Sequence, residues 1–250
     1  MNEIHRSAEL VGEVKLGNGN RIGPNVVIYG PVEIGDDNLI LPSVVIGTPP
    51  QWVGKSHDVK NGRAISIGSR NTIRELVAIH KPEETVTAIG NDCYLMTHTH
   101  IAHDCIIGDK VTMASGCQLG GFTTIQKSCV LGFSSVTHPH VTMGAYSIIG
   151  MGTVVNRDIM PFLKIAGNPC RILGINRVGM VRGLFTEEEI VLMENHWVDV
   201  WTYLTKKSEQ PTFLTDRLKQ VCEDFASARH GNKQLVAYEP LNWRSDFAPF

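Results

Sequence analysis

No stretch of this chain stays apolar for the roughly 18 residues needed to cross a bilayer. Its start, MNEIHRSAEL, lacks the basic segment and apolar run of a secretory leader. A transmembrane segment is therefore not expected, and the chain reads as cytoplasmic. There is no surplus of charge of either sign: 23 Lys and Arg stand against 25 Asp and Glu, a formal net charge of −2. That balance supplies no long-range field to gather nucleic acid or an anionic membrane, so a partner has to be recognised locally. Aromatic residues are scarce at 7%, yet 42% of the 250 residues are hydrophobic, enough for a core.

The spacing of the aliphatic residues is the most informative feature. They recur at every sixth position: Leu10, Leu16, Ile22, Ile28, Ile34, Ile40 and Ile46, several followed by glycine. The phase returns at Ile67, Ile73 and Ile79. It then runs from Ile89 in steps of six to Val155, with Thr137 its one polar member. A period of six matches neither an α-helix nor an alternating strand, and suits a chain that turns a corner after each short strand. Three such strands make a triangular coil of about 18 residues whose equivalent positions stack about 4.8 Å apart. The expected fold is an all-β solenoid, a parallel β-helix of hexapeptide repeats.

The same geometry disposes of a metal or disulfide reading for Cys93, Cys105, Cys117 and Cys129, which stand twelve apart. Consecutive members lie on different faces. Cys93 and Cys129 share a face two coils apart, roughly 9.6 Å, beyond the reach of a disulfide. All four are read as small core residues of a reducing compartment. Two stretches break the rhythm: residues 48–66, with Pro49-Pro50, and residues 80–88, HKPEETVTA. Loops thrown out of a solenoid commonly carry its binding function.

After Val155 the repeat fades, and the β-helix is taken to end at residue 173. Thr186 followed by three glutamates reads as a capping box opening a helix through about Thr205, and a second helix is expected from about Thr212 to Arg229, closing at Gly231. These helices make a C-terminal domain over 174–231. Residues 232–250, with Tyr238, Pro240, Trp243 and Phe247, read as an extended tail.

Residues 97–105, THTHIAHDC, place His98, His100 and His103 within six positions, with Asp104 after the last. The 18-residue coil sets His103 beside Gly121, Asp104 beside Phe122 and His100 beside Gln118. A glycine next to a histidine leaves its backbone N–H approachable, which is what acyl transfer needs: a base for the nucleophile's proton and a donor for the developing oxyanion. Adjacent residues on a straight strand face opposite ways, so Asp104 supports His103 only if the pair straddles a corner or a neighbouring subunit intervenes.

Over nearly its whole length before residue 231 the sequence resembles the UDP-N-acetylglucosamine O-acyltransferases of lipid A synthesis. HIAHDC (100–105), IGSRNTIRELVAIH (67–80), GNP (167–169) and GINRVG (174–179) carry the likeness. The resemblance implies a left-handed β-helix, a homotrimer, and transfer of a 3-hydroxyacyl group from the phosphopantetheine of acyl carrier protein to a hydroxyl of UDP-N-acetylglucosamine or a related nucleotide sugar, with no bound cofactor or metal. It implies His103 as the base, Asp104 as its supporting acid, Gly121 as the oxyanion glycine and His100 as a holder of the acyl donor. Gln51, Lys55, Phe122 and His138 fall at substrate-binding positions, and Asn176 and Arg182 at positions contacting nucleotide or carrier phosphate. The chain departs from the family at Trp52, where an acid is usual, at Phe122 for histidine, at Pro139 for glutamine, and in a double arginine halved to Arg182. A related enzyme acylating a different nucleotide sugar would look like this.

Other readings stay open. GNPCRI also resembles a segment of coenzyme A-dependent sugar acetyltransferases. Three histidines at a subunit interface are also the raw material of a zinc site, and a non-catalytic scaffold is the remaining possibility.

Overall fold

The computed structural model describes residues 1–54, 63–206, 209–229 and 234–236. Strands of two to five residues wind into sheets of ten, eight and seven strands, one for each face of a triangular prism. Pairing is parallel except between Leu163–Ala166 and Arg171–Ile175, where the chain doubles back and closes the solenoid. Uninterrupted coils advance by 18 residues: His100 pairs with Gln118 and Gln118 with Val136. The sixth-position residues, among them Ile28, Ile40, Ile73, Ile79, Ile101 and Leu131, are buried within the prism.

A second inward column lies beside them. Asn20, Asn38 and Asn71 stack so that each side-chain oxygen accepts the backbone N–H one coil on, from Asn38, Asn71 and Cys93 in turn. Cys93, Cys105, Cys117 and Cys129 are buried and unbridged, as their spacing implied. Burial pushes the thiols of Cys105 and Cys129 up to about 12, which leaves them inert.

Both interruptions leave the prism at one edge. Strands Val45–Thr48 and Ala78–His80 are neighbours in the eight-stranded sheet, and each is followed by an insertion. Across the first the register steps from Val45 to Ala78; across the second it steps from Ala78 to His100. The next strand of that sheet, His100–Ile101, ends at the same edge, and His103 is the corner residue that follows.

Among the described residues, three helices follow the solenoid. The helix α1, Arg177–Arg182, is a short element that the periodicity did not announce. The helix α2, Glu187–Lys206, opens on the expected capping box, with Thr186 Oγ1 accepting from Glu189 N and Glu189 Oε2 accepting from Thr186 N. The helix α3, Asp216–Ala228, begins later than expected because Thr212 and Phe213 form a turn and Thr215 is the cap that accepts Leu218 N. It ends at Arg229, whose extended ψ of 134° stops it before Gly231, which lies outside the described residues. Arg229 Nε reaches the buried Asp158 at 2.9 Å and ties α3 to the solenoid. The chain then returns through residues 234–236, which bridge to Asp158.

Candidate active site

The corner at residues 103 and 104 places two functional side chains together. Asp104 has a left-handed backbone, φ 59°, which bends the chain so that adjacent side chains point the same way. His103 Nδ1 meets Asp104 Oδ2 at 2.7 Å. Straddling a corner is therefore how the aspartate reaches the histidine, with no second subunit required.

The second interruption wraps that aspartate. Its carboxylate accepts the backbone N–H groups of Glu83, Glu84 and Thr85 at 3.0, 3.0 and 2.6 Å, and the Thr85 hydroxyl at 3.0 Å. The side chain is wholly buried. Burial alone would raise its pKa, but the donors of Thr85, His103, Glu83 and Glu84 outweigh burial and hold it below the usual value. An ionised carboxylate only accepts, so Nδ1 of His103 carries the ring proton and Nε2 presents a lone pair.

That lone pair faces Gly121. The two residues stack across one coil, with Phe122 N donating to His103 O at 3.0 Å. A Cβ added to Gly121 would stand 2.6 Å from both Nε2 and Cε1 of His103, so no side chain fits beside the ring. Aromatic residues wall the remainder. Trp52 stacks on His103 at 5.2 Å and 23°, Phe122 meets its edge at 5.2 Å, and His140 stacks on Phe122 at 4.5 Å and 5°. Phe122 and His140 repeat the left-handed corner one and two coils on, at φ 60° and 63°.

His100 is half-buried at 4.8 Å from the ring of His80. Burial, with a smaller contribution from His80, pushes its pKa down to about 4. His80 itself is 5% exposed, and sequence reasoning did not single it out. Its signals are its position at the head of the second interruption and its place as the last residue of IGSRNTIRELVAIH. Thr85, Trp52 and His140 gain their roles in the same way, from loops and corners that carry no period.

The other sequence-predicted residues divide. Gln51 is exposed beside Trp52 and His138 is exposed on the His103 edge, its Nδ1 3.1 Å from Pro139 O. Lys55 lies outside the described residues. Asn176 and Arg182 stand elsewhere, against the ten-stranded sheet, the face opposite the His103 edge. There Lys110, Lys164, Arg177 and Arg182 line a cavity of about 550 Å³. Asn176 plays a structural part: it caps α1 by accepting Gly179 N and donates to Tyr146 O at 2.7 Å. His98 is exposed at the opposite end of its face from His103, so the three histidines do not converge within one chain.

A prism of triangular coils with a six-residue repeat places the chain among the hexapeptide-repeat β-helices, and its histidine–aspartate pair stands on one edge of that prism. The bacterial transferase hexapeptide model matches residues 13–48 and 87–121, and the second domain of UDP N-acetylglucosamine O-acyltransferase matches 158–232. By these matches and by the relatives that follow, the chain is similar to the UDP-N-acetylglucosamine O-acyltransferases. It is 38% identical over 142 residues to the acyl-[acyl-carrier-protein]–UDP-N-acetylglucosamine O-acyltransferase of Aliivibrio salmonicida, covering 54% of each chain. It is 35% identical over 159 residues to that of Vibrio atlanticus, covering 62% of this chain and 61% of the relative. The matched part thus spans about half the length of the first of these relatives. In three dimensions it is similar to LpxA from Acinetobacter baumannii, with a TM-score of 0.70, 26% identity, and 94% of this chain and 98% of that one covered.

Proposed function

We propose that this protein transfers an acyl group, 3-hydroxylated by analogy with the family, from the phosphopantetheine thioester of acyl carrier protein to a hydroxyl of UDP-N-acetylglucosamine or a related nucleotide sugar. The observation that carries the reading is the His103–Asp104 pair with Gly121 against its free nitrogen. His103 Nε2 takes the hydroxyl proton as the sugar oxygen attacks the thioester carbonyl. The Gly121 N–H, which donates to no acceptor among the described residues, holds the oxyanion of the tetrahedral intermediate. The C–S bond then breaks, and the imidazolium returns its proton to the departing thiolate. Asp104 keeps the ring in the required tautomer and stabilises its charged form. Trp52 and Phe122 replace polar residues of the family and give the acceptor pocket an aromatic wall, which favours a sugar presenting an apolar face.

The basic cavity, with Lys110, Lys164, Arg177 and Arg182, suits phosphate groups of the nucleotide or carrier. One chain holds this cavity and the His103 edge on opposite sides, so a ligand touching both requires a second copy. A homotrimer with sites shared between neighbours meets that requirement. The test is to offer the protein UDP-N-acetylglucosamine with a ladder of 3-hydroxyacyl carrier-protein thioesters, and separately acetyl and longer acyl coenzyme A. Mass spectrometry then looks for the acylated sugar. A carrier-dependent product supports the reading; a product formed only from coenzyme A replaces it with the acetyltransferase reading.

A further inference from the structure

Among the described residues, His80 Nε2 is the one buried side-chain nitrogen or oxygen without a hydrogen-bond partner. A buried polar atom left unmet is destabilising, and this one lies in the candidate site rather than in the core. The opposite nitrogen is held: His80 Nδ1 stands 3.0 Å from Pro49 O and 2.9 Å from Thr48 Oγ1. A carbonyl oxygen only accepts, so Nδ1 is the protonated nitrogen and Nε2 is a bare acceptor. The ring packs 4.8 Å from His100. Burial lowers the pKa of His80, against a smaller opposing pull from Pro49 O.

The position of this acceptor is built. Strand Ala78–His80 pairs with both Val45–Thr48 and His100–Ile101, so His80 sits between the start of the first interruption and the histidine strand of the site. The Pro49 carbonyl, at the root of the first interruption, fixes the ring. An acceptor fixed in its tautomer, unmet by protein and beside the proposed base, is suited to one ligand chemistry: a hydroxyl or amide N–H.

We propose that His80 Nε2 accepts a hydrogen bond from a hydroxyl or N–H group carried by a substrate, and thereby selects substrates that bear this donor. This rests on the acyl-transfer reading of the same site. The donor has two sources, a hydroxyl on the acyl chain or the amide N–H at C2 of the sugar. His80 takes no proton from the nucleophile and acts as a specificity residue.

The experiment compares wild type, His80→Leu and His80→Gln. Gln keeps an acceptor oxygen near the Nε2 position; Leu does not. Each is titrated calorimetrically with a 3-hydroxyacyl pantetheine, with the unsubstituted acyl pantetheine of equal length, with UDP-N-acetylglucosamine and with UDP-2-deoxyglucose, which has no donor at C2. The kcat/KM ratios of the same pairs are measured in parallel. Wild type should prefer the donor-bearing member of one pair by about tenfold or more. His80→Leu should remove that preference and His80→Gln should restore a large part of it; the pair affected identifies the source. Equal ratios for both pairs in wild type and His80→Leu, with binding and turnover intact, would overturn the inference while leaving the acyl-transfer reading standing. Failure of wild type to bind any of the four probes would overturn both.

Discussion

Replacing Gly121 by alanine should disable the protein without unfolding it. The new methyl carbon would stand 2.6 Å from Nε2 and Cε1 of His103, about 1 Å inside ordinary contact. The ring has little room to yield: Trp52 lies on its face, Phe122 on its edge, and Nδ1 is held 2.7 Å from Asp104. A shift of about 1 Å in a catalytic group costs on the order of 10²-fold in rate, about 2.7 kcal/mol of barrier. Stability should fall less, by about 1–2 kcal/mol, because the clash is with a side chain at a corner rather than with backbone. The assay is the initial rate of sugar acylation from a carrier-protein thioester, with thermal unfolding of the same preparation. A rate within about threefold of wild type, under about 0.7 kcal/mol, would refute the packing of Gly121 against the base.

Further outcomes follow from other contacts. Asp104→Asn would set an amide against the N–H groups of residues 83–85 and lose the tautomer control of His103, lowering turnover by about 10³-fold or more. The folded-state pKa of Asp104 is depressed, so its stabilising contribution is complete above the unfolded value of about 3.9 and is lost as pH falls through the folded value. The stability gap between wild type and Asp104→Asn, read by denaturant titration, should hold from pH 7 to about 5 and close only in strongly acid solution; a gap that widens on acidification contradicts this sign. Arg229→Ala leaves the buried Asp158 carboxylate without its guanidinium and should lower stability by about 2–3 kcal/mol by urea unfolding, while Arg229→Lys recovers part of it. Co-expressed His103→Ala and Arg182→Ala chains should recover about a quarter of wild-type activity in randomly mixed trimers, since a quarter of shared sites are then intact; activity no higher than either variant alone contradicts a site between copies.

The coil was legible because burial in a narrow prism leaves little freedom: every sixth residue must be apolar and every corner tight. The same arithmetic put His103 beside Gly121 and the cysteines inside, and both hold in three dimensions. Whether Asp104 could reach His103 was not legible, because a period of six does not reveal a left-handed φ at a corner. The loops were located by the break in the period but not described by it. Nothing in HKPEETV announces that three of its N–H groups close on Asp104, or that its first histidine keeps an acceptor unmet. The helix α3 starts at Asp216 rather than near Thr212, because residues 212–213 form a turn and Thr215 caps the helix by accepting Leu218 N.

Whether His103 is the base of an acyl transfer is tested most directly by a single-turnover experiment. Wild type and His103→Ala are each loaded with UDP-N-acetylglucosamine at matched occupancy and mixed with 3-hydroxyacyl carrier protein, and acylated sugar is followed by mass spectrometry. The expected result is product formation slowed by about 10²- to 10⁴-fold in the variant, with nucleotide-sugar affinity unchanged. Equal single-turnover rates in the two proteins would contradict it.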